Sequence, residues 1–265
     1  MIECATHREL LVFEAARHIC DGECVIVGTG LPLLAALVAQ RTHAPAVRLI
    51  IESGVIFPQV LPTPMSVVDP RLMHAPSRLG SLLEVLGGFV QRGLVDVGFL
   101  GGAQVDEHAN INSTWVVGSD GRRRRLPGSG GANDIASHCR RLVVVMSHER
   151  RRFPARCDFV TSPGFLTGPG ARRRAGLPPI TVTVLTDLCV MEGDDDDGRL
   201  RLQALMPGVS VATVLERMAF TPVVPDDVGT VEQPPVEHLA LLRDVLDPER
   251  RYFPERAGLS EGGIE

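Results

Sequence analysis

An α/β fold with three layers, helices covering both faces of an open and mostly parallel sheet, is predicted by three observations. Strand-like runs are apolar along their whole length, as a sheet covered on both faces requires. They alternate with stretches of helical periodicity. Loops rich in Gly, Pro and Asp follow the strand ends, at 57–70, 101–113, 118–134 and 161–180, where open α/β sheets place their ligands.

The elements follow in order. "MIECATHRELLVFEAARHIC" reads as an amphipathic helix. "CVIVGTG" (24–30) is a strand ending in a glycine turn. "LPLLAALVAQRTHA" is a helix that tolerates Pro32 in its first turn. "VRLIIESG" is the next strand. "SRLGSLLEVLGGFVQRG" has helical spacing, with Gly93 as its stop. "VDVGFLGG" and "RLVVVMSH" are buried strands, and "ITVTVLTDLCVM" is a longer, half-exposed one. "EGDDDDGRLRL" (192–202) is the acidic turn of a hairpin, and "LALLRDVLDPERRYFP" is a helix with an irregular end.

Composition bounds the function. The 265 residues show no repeat and no long linker, so one domain spanning 1–265 is expected. Net charge is −5, all 27 basic residues are Arg, and aromatics are only 4%. No basic stripe with interleaved aromatics exists, which argues against a nucleic-acid partner. The N-terminus has early acidic residues and no small-residue cleavage site, unlike a signal peptide. No apolar run approaches the ~20 residues a membrane span needs. The six cysteines form no CxxC pair and read as free thiols of a cytoplasmic protein. Cys20, Cys24 and His18 lack the second cluster a zinc site usually has, so no metal is expected.

Three segments carry candidate chemistry. Glu52 ends the apolar run of "RLIIESGVIF"; a carboxylate there costs free energy unless it is hydrogen-bonded or used. The plain alternative is a helix cap or a salt bridge; the functional reading is a nucleophile or base held on a rigid strand end. "LPGSGGANDIASH" (126–138) has three glycines in four residues. Backbone N–H groups there would point into a cavity and stabilise an oxyanion; an ordinary turn is the alternative. "FLGGAQVDEHANINST" (99–114) ends a strand in Gly-Gly and continues with Gln104, Asp106, Asn110 and Asn112, polar side chains with no obvious core role.

"VIVGTGLPL", "IIESGVIF", "FLGGAQVDEHANINST", "PGSGGANDIA", "HERRRFPARCDFVTSPG" and "GPGARRRAGLP" occur in this order. Together they resemble family I CoA-transferases, specifically the β-subunit of glutaconate CoA-transferase, from about residue 8 to about residue 250. "ESG", "GGAQVD", "GSGGAN" and "VTSPG" are the specific parts.

The resemblance implies a catalytic glutamate at the "ESG" position, which is Glu52. It would attack an acyl-CoA thioester and pass through a mixed anhydride to a glutamyl-CoA thioester. The donor would be an acyl-CoA, a dicarboxylic glutaconate-like one among the candidates, and the acceptor a carboxylic acid. Backbone N–H groups of Gly130, Gly131 and Ala132, with the Gln104 amide, are the expected oxyanion or thioester donors. Ser53, Gly54, Gly101, Gly102 and Gly128 are expected in the substrate loops. Coenzyme A esters enter as substrates, with no cofactor held permanently. The resemblance also implies an α-type subunit as partner, in an α2β2 assembly. The "RRRR" run (122–125) reads as a solvated hairpin in preference to a phosphate site. His148, Glu149 and the thiols of Cys139, Cys157 and Cys189 read as structural. Hydrolysis or decarboxylation of acyl-CoAs on the same fold is the nearest alternative; a non-catalytic binder of CoA esters is the alternative of another class.

Overall fold

The computed structural model describes residues 4–58, 64 and 69–253. Most of the loop expected at 57–70 and the end of the C-terminal tail lie outside the described residues.

Helix α1 (His7–Arg17) starts at a reciprocal cap: Thr6 Oγ1 accepts the Glu9 N–H, and Glu9 Oε2 accepts the Thr6 N–H. Both sides of α1 are covered, so it is not the amphipathic surface helix its sequence suggests. Even Glu9 is fully buried, bonded by Arg243 at 2.7 and 2.9 Å. Strand β1 (Cys24–Ile26) leads through the Gly28–Gly30 turn into α2 (Leu31–Arg41), whose residues 33–39 are all buried. Then come β2 (Arg48–Ile51), β3 (Val55–Ile56) and β4 (Arg78–Leu79), followed by a π-helical segment at Glu84–Val90. The helix expected over 77–93 is therefore shorter: its first residues pair as the edge strand β4 against β3.

Strand β5 (Val97–Leu100) is followed by two small hairpins, β6 (Gln104–Val105) with β7 (Ile111–Asn112), and β8 (Trp115–Val117) with β9 (Arg123–Arg125). Helix α3 (Ala132–His138) packs so closely on β5 that a side chain at Gly98 would strike Ile135. Next come β10 (Arg141–Val145), the short α4 (Ala171–Arg174), and β11 (Thr181–Leu185). The run 180–191 is not one long strand. It turns at Thr186, whose hydroxyl accepts the N–H groups of Leu188 and Cys189, and returns as β12 (Cys189–Asp194). Strand β13 (Arg201–Leu205) completes the acidic hairpin with β12; α5 (Val211–Glu216), β14 (Gly229–Thr230), α6 (Val236–Ala240) and a π-helical turn at Leu241–Leu246 finish the chain.

Ten strands form one sheet in the order β14-β13-β12-β11-β10-β5-β1-β2-β3-β4. The centre, from β11 to β2, is parallel. Its side chains alternate between two cores. Val25, Leu49, Val97 and Val143 face one core with α1 and α2; Ile26, Ile50, Leu142 and Val144 face the other with α3 and the 84–90 segment. Two covered faces explain why these strands read as unbroken apolar runs. After β2 the chain returns to place β5 on the opposite side of β1. The crevice at the C-terminal ends of β1 and β5 is thus a topological switch point.

Arg172 of α4 is fully buried. Its Nε donates to the Pro178 carbonyl, Nη1 to those of Pro163 and Gly164, and Nη2 to those of Ala136 and Ser137. Burial lowers its pKa, with Asp195 acting the other way, but a guanidinium stays charged. Arg172→Met fills similar volume and leaves these carbonyls without a donor. We expect it to destabilise the chain by about 3 kcal/mol or more, read from urea denaturation midpoints; each buried polar group left unpaired costs ~1–3 kcal/mol.

Candidate active site

The Glu52-Ser53-Gly54 sequence is the turn of the β2–β3 hairpin, closed by a hydrogen bond from Gly54 N–H to the Ile51 carbonyl at 3.0 Å. Gly54 has φ +109°, and a side chain on it would collide with the Gly80 carbonyl. Gly80 N–H in turn donates to the Gly54 carbonyl at 2.8 Å. The turn is thereby held by backbone on both sides, and Glu52 leaves it half-buried, toward α3. The Gly131 N–H donates to Glu52 Oε2 at 3.2 Å. A Cβ on Gly131 would stand 2.7 Å from that oxygen and 3.0 Å from a Leu86 methyl, so only glycine leaves space for the carboxylate.

Glu52 opens onto a cavity of about 230 Å³ at the switch point. The ends of β1 (through Gly28 and Thr29) and β5 (through Gly101) line it, together with Ser113, Gly128, Ser129 and Ala132. Among the described residues, Glu52 is the one ionisable residue in that lining. The expected meeting of Glu52 with the 128–132 loop is therefore what the geometry displays. Gly101, Gly128, Gly131 and Ala132 gather around it; Gly130 adjoins it, with its would-be Cβ 3.6 Å from Glu52 Oε1. Ser53 and Gly54 stay in the turn, and Gly102 lines the neighbouring cleft.

Two expected donors are spent elsewhere. Gln104 is buried: its Oε1 accepts from Asn112 Nδ2 and the Asp158 N–H, its Nε2 donates to Asp158 Oδ2 at 2.9 Å, and it does not line the cavity. The Ala132 N–H donates to the Ser129 carbonyl at 2.9 Å, as a first-turn amide of α3. The N–H groups of Gly130 and Gly131 remain beside Glu52, and that of Gly131 is already on the carboxylate.

The "GGAQVDEHANINST" segment gives Gly101 and Ser113 to the cavity lining, and its buried polar residues support the glycine loop. Asp106 accepts from the N–H groups of His108 and Asn110, and Asn110 Oδ1 accepts those of Gly164 and Leu166. Ser113 Oγ donates to the Gly128 carbonyl at 2.8 Å and the Gly128 N–H returns to the Ser113 carbonyl at 2.8 Å. At the other end, Asn133 Nδ2 donates to the Thr161 carbonyl. The loop is clamped by Ser113 before the glycines and by Thr161 after them. Sequence reasoning passed over Thr29, Ser113, Ser129 and Thr161; their signal was position within "GTG", "NST", "GSGG" and "VTSPG".

The other candidates make local contacts away from Glu52. Arg123–Arg125 form a strand of the exposed β8–β9 hairpin, with the Arg123 guanidinium 4.3 Å from the Trp115 ring centre and Arg124 3.6 Å from Asp120. Burial pushes the Cys24 thiol up to about 11 and those of Cys139 and Cys189 to about 12; Cys157 is raised by the same cause. Such thiols are poor nucleophiles. No group of His, Cys, Asp and Glu among the described residues suits a metal ion, and no helix there is long and apolar enough to cross a membrane.

The profile of the coenzyme A transferase family matches residues 11–217. The chain is 36% identical to the β subunit of the glutaconate CoA-transferase of Acidaminococcus fermentans, covering 94% of this chain and 95% of the relative. The crystal structure of glutaconate coenzyme A-transferase from that organism matches with a TM-score of 0.87 at 34% identity, covering 94% of this chain and 97% of the other. The β subunit of a 3-oxoadipate CoA-transferase of Pseudomonas knackmussii is 36% identical over 80% of this chain and 82% of its own. The decarboxylase AibA/AibB matches with a TM-score of 0.79 at 27% identity, over 93% and 97% of the two chains.

His148, at the end of β10, is buried against Phe153, with Nε2 3.3 Å from the Val214 carbonyl and Nδ1 3.1 Å from Thr186 Oγ1. Desolvation lowers its pKa to about 4. The unfolded chain takes that proton near pH 6.5, while the native state refuses it down to about 4. His148 therefore costs no stability above pH 6.5, and a penalty grows as pH falls from 6.5 to 4, reaching about 3 kcal/mol. Urea denaturation at pH 7.5 and pH 4.5 is expected to show a smaller loss for His148→Gln than for wild type.

Proposed function

The chain belongs to the coenzyme A transferase family, and we propose that it is the β-type subunit of an enzyme moving CoA between an acyl-CoA and a carboxylic acid, with Glu52 as nucleophile. The observation that carries this reading is Glu52 itself: among the described residues the one ionisable group of its cavity, held by the Gly131 N–H. Carboxylate exchange moves no proton, so a single carboxylate suffices for it.

The steps balance without a co-reactant. A Glu52 oxygen attacks the thioester carbonyl, the C–S bond breaks, and an acyl–glutamyl anhydride and CoA thiolate result. The thiolate attacks the glutamyl carbonyl, the first acid leaves as carboxylate, and a glutamyl-CoA thioester remains. The second acid reverses these steps and restores Glu52. When thiolate attacks the glutamyl carbonyl, negative charge gathers on the glutamyl oxygen. The Gly131 N–H, 3.2 Å from Glu52 Oε2 in the resting state, is placed to receive it, so one donor serves both the resting carboxylate and the tetrahedral intermediate.

The reading includes an α-type partner subunit in an α2β2 assembly, supported by relatives that are themselves β subunits. It places the enzyme in the cytoplasm, in keeping with six free cysteines. Dicarboxylic acyl groups are the substrate class that the glutaconate and 3-oxoadipate relatives suggest. Coenzyme A esters are substrates, not resident cofactors. Hydrolysis is the competing outcome, since water can attack the same anhydride; exchange of labelled acetate into acyl-CoA separates transfer from loss.

The test is covalent trapping on this chain co-expressed with its α-type partner. Incubation with acyl-CoA and no acceptor, followed by borohydride or hydroxylamine, should mark Glu52 in the peptide containing "LIIESGVIF". Glu52→Ala should abolish the mark and leave less than about a hundredth of the exchange rate. An unmarked wild type with a normal rate would overturn the nucleophile. Gly131→Ala, which keeps the N–H but crowds the Glu52 oxygen out of place, is expected to lower kcat by about 10²-fold with little change in denaturation midpoint.

A further inference from the structure

A second, larger cleft of about 720 Å³ adjoins the Glu52 cavity and shares Thr29, Pro32 and Gly101 with it. It runs across the C-terminal ends of β10 and β11, over Val145 and Met146, to a wall holding Arg8, Arg152 and Arg217. Two carboxylates also face it, and both are engaged. Glu149 accepts from Arg151 and Arg152 at 2.6 and 3.0 Å, and Asp187 accepts the His148 N–H at 2.6 Å. Arg152 is divided between Glu149 and the Gly102 carbonyl, which fixes it in place. Arg217, the residue that ends α5, differs: its guanidinium has no hydrogen-bond or ion-pair partner among the described residues.

A mixed polar and apolar cleft that opens beside the Glu52 cavity, passes over Val145 and Met146 and reaches the exposed, unpaired guanidinium of Arg217 suits an acyl chain that ends in a second anion. A planar guanidinium matches a carboxylate with two parallel hydrogen bonds. Discrimination of this kind is strong where a polar partner is missing in the wrong substrate and weak where a methylene is added or lost.

We propose that this cleft is the acyl pocket and that Arg217, with Arg152 in the same lining, binds the distal carboxylate of a dicarboxylic acyl group. The proposal rests on the transferase reading above and adds the residue that sets its substrate class.

Glutarate and pentanoate are the probes: they have equal chain length and differ in having a carboxylate or a methyl at the far end. The enzyme is this chain with its α-type partner, and the measurement is kcat/KM for each acid as CoA acceptor. Wild type is expected to prefer glutarate. Arg217→Gln should lower kcat/KM for glutarate about tenfold to a hundredfold, the range for losing a charged hydrogen bond. Pentanoate should change less than about threefold, and Arg217→Lys should recover part of the glutarate activity. Equal loss on both acids would overturn the proposal, because it would assign Arg217 to CoA or to folding. No loss on either, or a wild-type preference for pentanoate, would overturn it too. Trapping of the Glu52 adduct in the same preparations separates the two levels. A marked wild type without glutarate preference sinks only this subsite; an unmarked, inactive wild type sinks the transferase reading and the subsite with it.

Discussion

The site depends on a cation that is wholly buried. The last turn of any helix leaves carbonyls without intrahelical partners. In α3, those of Ala136 and Ser137 are received by the buried Arg172, which also ties down Pro163, Gly164 and Pro178. A positive charge at that end also suits the helix dipole. The opposite end of α3 begins at Gly131, whose N–H holds Glu52. One guanidinium therefore fixes the position of a helix whose other terminus holds the Glu52 carboxylate. The close contact of α3 with β5 at Gly98 prevents the helix from sliding along the sheet.

Around this anchor the loops form a closed polar network. Asp106, Asn110, Asn112 and Gln104 are buried, and each satisfies backbone or side-chain groups, several of them from residues about 50 positions later. Buried polar groups are tolerated when their bonds are complete, and complete networks hold one geometry firmly. Rigidity at Ser113 and Thr161 passes directly to the glycine loop between them. Pre-organised donors are effective because they need no rearrangement when charge develops.

Much of this was legible in the sequence, and the gaps have physical causes. The parallel centre of the sheet was readable because both-face burial leaves unbroken apolar runs. Glu52 was readable because it interrupts one. The partners of Gln104 were not legible, because a polar residue after a strand-end Gly-Gly looks alike whether it faces a cavity or a partner distant in sequence; only the fold brings Asp158 to it. The Ala132 N–H bonds to the Ser129 carbonyl because it belongs to the helix start, a boundary the glycine run does not mark. The β11–β12 turn carries no Gly or Pro; Thr186 closes it with its hydroxyl, a weaker written signal. Arg172 stood among three consecutive arginines, and composition gave no means of telling the buried one from its neighbours.

The Glu52 turn is held by the backbone of Gly54 and Gly80, while the glycine loop is held by Ser113, Thr161 and, through α3, by Arg172. None of these supports passes through the Glu52 side chain. Glu52 is thus a replaceable tip on a socket that keeps its shape without it. Exchanging that single residue is expected to cost little in folding and to leave the Gly131 N–H, the switch-point crevice and the adjoining cleft as they are. A decarboxylase shares the fold at a TM-score of 0.79.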